Sequence, residues 1–202
     1  MRRISFRPAV TFRGRKFKGL RGWAGKPLHP PLTDIPVGAY IIVPVLDIIS
    51  NAGQNETWAR DFYRAGTFVL IAGAAVSLAT ALTGFWDWLK STEPGTQVRR
   101  EANAHALTMI TVTLLVLANI GLRTLDYGGD RHSGVVVLVL SIAIGLLTTL
   151  GGTIGGSLVY DYGFNVETAG DHPAYHQSEV DVMPGSNGQS SQAPSKQTTA
   201  QS

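Results

Sequence analysis

Cysteine is absent from the 202 residues of this sequence, and charged residues are scarce. Without a thiol the chain forms no disulfide, no thiolate metal site and no Cys-ligated iron–sulfur cluster. Charged residues make up 15 % of the chain, against roughly 25 % in a soluble domain. A Walker loop, an HExxH motif and a GxSxG turn are also missing, so the sequence offers no catalytic motif of those classes.

Acidic residues are missing from residues 1–33, although that segment is strongly basic. Its basic residues are Arg2, Arg3, Arg7, Arg13, Arg15, Lys16, Lys18, Arg21 and Lys26. A signal peptide needs an apolar run soon after the basic start, and residues 4–34 contain none. Because apolar segments follow directly, we expect this arm to bind anionic lipid headgroups, at about 1 kcal/mol per basic side chain. A nucleic-acid-binding arm has a similar composition, but the apolar neighbours favour lipid, and we predict no nucleic-acid partner.

Long apolar stretches dominate the middle of the chain. A bilayer core of about 30 Å is crossed by ~20 apolar residues in a helix, and residues 65–86, 102–122 and 133–160 are uncharged. We predict spans at residues 35–53, 64–86, 104–122 and 134–160. The first contains Asp47 and Pro44, and the proline should kink the helix and free a carbonyl that a neighbouring helix must cover. The predicted fold class is all-α, a four-helix transmembrane bundle in contact with the lipid bilayer.

Polar segments flank the predicted bundle on both sides. The predicted organisation is a basic arm over residues 1–34, a membrane domain over 35–163 and a polar tail over 164–202. The tail is rich in Ser, Gln, Gly and Asn, so we expect it to be disordered. Lys and Arg concentrate in the arm, and Lys90, Arg99 and Arg100 between the second and third spans and Lys196 in the tail add to that side, so the positive-inside rule predicts that both termini are cytoplasmic.

Two groups of polar residues fall at matching depths in the predicted bundle. The group at the cytoplasmic ends of the spans consists of His29, Asp34, Asp87 and His105. The group near the outer ends consists of Asp47, Arg64, Asn119 and Arg123. A charge at membrane depth is costly, so we expect Asp47 to point inward and pair with Arg64 or Arg123, with Asn119 donating a hydrogen bond. A simpler interpretation is that both groups only fix helix packing and that Asp34 caps the first span.

His29 and His105 carry the more specific functional hypothesis. Imidazoles on facing segments of a four-helix bundle are a common haem arrangement, so both are candidate axial ligands of a b-type haem. A face of small residues on the fourth span, Gly152, Gly155 and Gly156, would let a flat porphyrin approach closely. The flanking prolines speak against this hypothesis, because they predict that His29 lies outside any helix.

Two other functions stay open on the sequence. One is a non-enzymatic membrane scaffold or assembly partner, in which both polar groups hold the bundle together. The other is a small-solute or proton pathway through Asp47, Asn119 and His105, although four helices leave little room for a pore.

Short motifs mark the ends of the predicted spans. They are Pro27-Leu28-His29-Pro30 before the first span, Asp47 late in it, Thr83-Gly84-Phe85-Trp86-Asp87 at the end of the second, His105 at the start of the third, and Gly155-Gly156-Ser157-Leu158-Val159-Tyr160 at the end of the fourth. Together they resemble a widespread family of bacterial four-helix integral membrane proteins of unknown function. The resemblance covers residues 25–166 and implies the bacterial inner membrane. Some members are fused to a Rieske iron–sulfur domain, which implies association with electron transfer and a redox or membrane-protein partner.

Overall fold

The computed structural model describes residues 20, 27–125, 128–129 and 132–165. Most of the predicted basic arm and nearly all of the predicted disordered tail lie outside the described residues. The statements below concern the described part of the chain.

Four α-helices account for most of the described residues. They are α1 His29–Gly53, α2 Thr57–Ser91, α3 Gln97–Leu125 and α4 Val135–Tyr160. All four are long and apolar enough to cross a membrane. With short connections they run alternately up and down, and the start of α1 meets the last turns of α2. The protein is a four-helix transmembrane bundle, as its sequence predicts.

Helix α1 starts earlier than the sequence suggests. We expected His29 to precede the helix, and this was wrong, because His29 is its first residue. Pro30 and Pro31 follow in the first turn, where a backbone N–H has no intrahelical partner and proline is tolerated. Further along, Pro44 frees the carbonyl of Tyr40, and Gly145 of α4 lies against that carbonyl. A glycine there lets α4 cover the freed oxygen at close range.

The helices form a square in which α1 and α3 occupy opposite corners. Helix α1 packs closely on α2 and α4, and α3 packs on α4 and more lightly on α2. Helices α1 and α3 are not direct neighbours, and neither are α2 and α4. The buried apolar core between them consists of Tyr40, Val43, Leu70, Val112, Val116 and Ile144. Any contact between α1 and α3 must therefore be made by side chains that reach across the centre.

The α1–α2 pair is the closest in the bundle, and Gly73 sits where the two helices meet. A Cβ at Gly73 would lie 2.7 Å from the Cβ of Ala39 and 3.1 Å from Cε1 of Tyr40. Gly121 on α3 is the opposite case, since a Cβ there would meet nothing within 4 Å. Alanine substitutions at these two positions therefore separate the effect of packing from the effect of helix propensity.

We therefore expect Gly73→Ala to destabilise the bundle and Gly121→Ala to leave it unchanged or slightly more stable. Overpacking at Gly73 costs about 1–3 kcal/mol, which outweighs the roughly 0.5–1 kcal/mol that Ala gains over Gly in a helix. Unfolding by detergent titration would measure both variants. A Gly73→Ala variant more stable than the wild type would contradict the close α1–α2 contact.

Candidate functional site

A buried ion pair joins α1 to α3 across the bundle. Asp47 of α1 and Arg123 of α3 are both fully buried, and Nη2 of Arg123 donates to Oδ2 of Asp47. The arginine also donates through Nη1 to the carbonyl of Tyr63 at 3.4 Å and to Oγ1 of Thr67 at 3.1 Å, both on α2. Nη2 also donates to Oγ of Ser141 on α4 at 3.3 Å, so one guanidinium links all four helices.

Asn119 and Ser141 bring α4 into the same cluster. Nε of Arg123 donates to Oδ1 of Asn119 at 2.7 Å, and Nδ2 of Asn119 donates to Oγ of Ser141 at 3.0 Å. Ser141 in turn donates to Oδ2 of Asp47. We expected Asn119 to donate a hydrogen bond, and it donates to Ser141 and to the carbonyl of Val137 on α4, while its Oδ1 accepts from Arg123. We call Asp47, Thr67, Asn119, Arg123 and Ser141 the ion-pair cluster.

Almost every polar atom of the ion-pair cluster has a partner. The exception is Oδ1 of Asp47, which accepts no hydrogen bond within the described part of the chain. Each nitrogen of the Arg123 guanidinium donates, as a buried charge requires. The other candidate partner, Arg64, lies partly buried on α2. A neutral, internally bonded group of this kind holds helices together and offers little to a ligand.

The opposite end of the bundle brings His29 and His105 together. His29 opens α1 and His105 lies in the third turn of α3. Nδ1 of His29 lies 2.9 Å from the carbonyl of Thr80 on α2, and Nδ1 of His105 lies 2.9 Å from the carbonyl of Gly151 on α4. A carbonyl can only accept, so each Nδ1 carries the proton and donates. In the neutral ring Nε2 is then the atom with the free lone pair.

The two imidazoles face each other at short range. Their ring centroids are 6.4 Å apart and their planes meet at 84°. Glycines on the other two helices make room for them. A Cβ at Gly84 of α2 would lie 2.6 Å from Cε1 of His29, and one at Gly155 of α4 would lie 3.0 Å from Cε1 of His105. We call His29, Gly84, His105 and Gly155 the histidine site.

Three residues predicted for this end do not join the histidine site. Asp34 is exposed rather than buried, because a helix that starts at His29 turns Asp34 to the outside. Gly152 is also exposed, and a Cβ there would meet nothing within 4 Å. At Gly156 a Cβ would come near only the ring of Tyr160. Of the three glycines expected to face a cofactor, only Gly155 touches a histidine.

Asp87 is buried near this end, but its carboxylate bonds to the backbone and does not form part of the histidine site. It lies one turn beyond Thr83 on α2, and its Oδ1 accepts the backbone N–H of Leu20 at 3.0 Å. The carbonyl of Leu20 accepts the N–H of Leu28, directly before α1. Asp87 therefore ties the segment at Leu20 to the end of α2.

Sequence reasoning missed several contributors. Ser141 and Thr67 complete the ion-pair cluster, and the carbonyl of Thr80 anchors His29. A lone Ser or Thr in an apolar span is too common to single out, and a backbone carbonyl leaves no mark in the sequence. Gly84 could have been identified from the sequence, since it belongs to the Thr83-to-Asp87 motif.

The ion-pair cluster predicts an asymmetric response to mutation. Arg123→Met leaves the Asp47 carboxylate buried without its cation, and breaking such a pair costs about 3–5 kcal/mol. The double variant Asp47→Leu/Arg123→Met removes both charges and should regain much of that loss. Thr124→Val, at an exposed neighbour on α3, is the control and should change little. Detergent-titration unfolding measures all three, and a double variant no more stable than Arg123→Met would contradict this account.

Comparison with known proteins identifies the family of this chain but does not identify its function. No curated protein and no solved structure was found to match the chain. A family model described as a predicted membrane protein, DUF2231, matches residues 25–168. That segment contains all four helices, the histidine site and the ion-pair cluster. The chain therefore belongs to the DUF2231 family of predicted membrane proteins.

Proposed function

We propose that this protein binds a b-type haem between His29 and His105 and passes electrons within the membrane. The observation that carries the proposal is the pair of imidazoles on opposite helices, each anchored through Nδ1 to a backbone carbonyl. Such an anchor fixes the orientation of a metal-binding histidine and raises its basicity. It also keeps the second ring nitrogen for a ligand.

The contrast between the two ends of the bundle supports a cofactor at the histidine site. In the ion-pair cluster every nitrogen of Arg123 is hydrogen-bonded. At the histidine site, Nε2 of neither ring has a hydrogen-bond partner among the described residues. A group that only fixes packing has no need to leave two imidazole nitrogens available.

The separation of the rings suits one metal ion bound from both sides. Two imidazoles on opposite sides of a metal, with bonds of about 2.0–2.1 Å, place their ring centres roughly 6 Å apart. The observed centroid distance is 6.4 Å. The 84° between the planes is compatible with this arrangement, since two imidazoles that bind one metal ion from opposite sides can stand perpendicular to each other.

Haem suits the site better than a bare metal ion does. Across the described residues, no group of three or more His, Cys, Asp and Glu side chains is placed to hold a metal. A haem iron receives four nitrogens from the porphyrin, so two histidines complete its coordination. Bound there, haem would supply one-electron redox chemistry.

The setting of the protein in the cell is part of the proposal. A membrane-embedded redox centre requires a redox or membrane-protein partner. The family resemblance supports the bacterial inner membrane. The concentration of Lys and Arg in the basic arm supports cytoplasmic termini and contact of the arm with anionic headgroups. We assign the ion-pair cluster the structural role of holding the helices together, because its hydrogen bonds are made within the bundle.

The visible spectrum tests the proposal directly. After expression with ample haem precursor and purification in mild detergent, the reduced-minus-oxidised spectrum should show a sharp α-band. His29→Ala and His105→Ala should each abolish that band. His132→Ala, at the opposite end before α4, should retain it. A folded, colourless wild type that takes up no added haem would contradict the proposal, as would an α-band that survives in both histidine variants.

Gly84 offers a test that keeps both histidines. In Gly84→Ala the new methyl group would lie 2.6 Å from the His29 ring and must displace it. Loss of an orienting contact lowers metal affinity by about 10–100-fold, so haem occupancy should fall accordingly. Gly38→Ala on α1 is the matched control, because a Cβ there meets nothing within 4 Å. Haem-to-protein ratios measure both, and equal ratios would contradict the role given to Gly84.

A further inference from the structure

The first two turns of α1 lack one of the hydrogen bonds that normally hold a helix together. Pro36 lies inside α1 and has no N–H, so the carbonyl of Leu32 loses its usual partner four residues further on. We call residues 29–35, the part of α1 before this proline, the His29 segment. Sharp bends in helices occur mostly at prolines. Pro36 is therefore the place where the His29 segment can tilt against the rest of α1.

Thr80 of α2 is buried and supplies the missing partner. Its Oγ1 lies 3.1 Å from the carbonyl of Leu32 and 3.2 Å from the carbonyl of Val76, so the hydroxyl proton is shared between the two helices. The backbone carbonyl of Thr80 accepts from Nδ1 of His29 at 2.9 Å, and Oγ1 of Thr83 adds a longer contact of 3.4 Å to the same nitrogen. Thr80 therefore holds the His29 segment at two points.

The chain just before the His29 segment has its own attachment to α2. Leu28 donates its N–H to the carbonyl of Leu20 at 3.1 Å, and Oδ1 of Asp87 accepts the N–H of Leu20 at 3.0 Å. This attachment acts on the backbone ahead of the segment and passes through an intermediate residue. The bonds from Thr80, in contrast, reach the segment directly.

The second histidine of the site lies on a regular helix. His105 is in the third turn of α3, and the sequence of α3 contains no proline. Its Nδ1 bonds to the carbonyl of Gly151 on α4, which fixes the ring from a third helix. Of the two imidazoles, His29 is therefore the one that belongs to a segment able to tilt.

A haem cannot slide between the two rings while they stand at the spacing of the bound state. A bond from an imidazole nitrogen to the metal is about 2.0–2.1 Å long, whereas atoms that only touch stay about 3.5 Å apart. An entering porphyrin therefore needs about 1.5 Å more room on each side, or about 3 Å in all. His29 lies seven residues from Pro36, a lever of about 10 Å, so a tilt of roughly 15° at Pro36 provides that room.

We propose that the His29 segment tilts about Pro36 to admit haem, and that Thr80 returns His29 to its binding position and holds it there. Thr80 is a positioning residue, because it acts on the haem through His29. The entry of haem rests on the proposed function, whereas the tilt of the segment does not. Removal of the Thr80 hydroxyl should loosen the segment in the haem-free protein and should speed the release of bound haem.

Amide hydrogen exchange of the full-length, haem-free protein in lipid nanodiscs tests the tilt. In Thr80→Val the amides of residues 32–35 should exchange about tenfold faster, the effect of one lost hydrogen bond, while the rest of α1 is unchanged. Thr80→Ser keeps the hydroxyl and should match the wild type. Thr111→Val on α3 is the control, because its exposed hydroxyl bonds to the carbonyl of Leu107 in its own helix. Equal exchange in wild type and Thr80→Val, or faster exchange throughout the bundle, would overturn the proposal.

A second substitution tests whether Thr80 replaces the bond that Pro36 removes. Pro36→Ala restores an N–H that can donate to the carbonyl of Leu32 within α1. The double variant Pro36→Ala/Thr80→Val should therefore exchange at about the wild-type rate in residues 32–35. A double variant that exchanges as fast as Thr80→Val would contradict the proposal.

Haem release tests the link to the histidine site. Transfer of bound haem to excess apomyoglobin should be about tenfold faster from Thr80→Val than from the wild type, and Thr80→Ser should restore the wild-type rate. Faster amide exchange with an unchanged rate of haem release would overturn the entry role of the segment. A wild type that takes up no haem would overturn the proposed function and the entry role together, and the amide exchange would then decide on the tilt alone.

Discussion

The Asp47–Arg123 ion pair is the interaction on which the arrangement of the helices depends most. Helices α1 and α3 occupy opposite corners of the bundle and are not direct neighbours. The ion pair connects them through the centre, and its hydrogen bonds extend to α2 through Thr67 and to α4 through Ser141. In lipid no water can replace a lost partner, so a single guanidinium that bonds to every other helix fixes their register.

The polar side chains at the two ends of the bundle have different kinds of hydrogen-bond partner. At the ion-pair cluster the side chains bond to one another, and only Oδ1 of Asp47 lacks a partner within the described residues. At the histidine site, the bonds go outward from each ring to the backbone of α2 or α4, and the rings face each other at 6.4 Å. A rigid end beside an end with available ligand nitrogens is the arrangement that the proposed haem would need. The bundle would have to keep its shape while that haem changes its charge.

Much of the fold could be predicted from the sequence, because hydropathy reports length and lipid contact directly. The need of Asp47 for a cation was predictable for the same reason, since a carboxylate in a span must be paired. The choice of Arg123 over Arg64 was not, because it depends on how each helix is rotated about its axis. Spans that are apolar all round contain little information about that rotation.

The glycines of α4 show this limit most clearly. Gly151 and Gly155 face the bundle, whereas Gly152 and Gly156 face away, and one residue corresponds to a rotation of about 100°. The sequence grouped Gly152, Gly155 and Gly156 as one face, and the structure separates them. The start of α1 was misjudged for a different reason. Proline is read as a helix breaker, but two prolines in the first turn extend the helix back to His29.

We propose that both imidazoles bind the same iron atom. Electron paramagnetic resonance of the oxidised, haem-loaded protein tests this claim most directly, because it reports the spin state of the ferric iron. Two strong imidazole ligands predict a purely low-spin signal in the wild type, and a high-spin signal after His29→Ala or His105→Ala. A wild type with a dominant high-spin signal would have at most one histidine on the iron, and it would contradict the account.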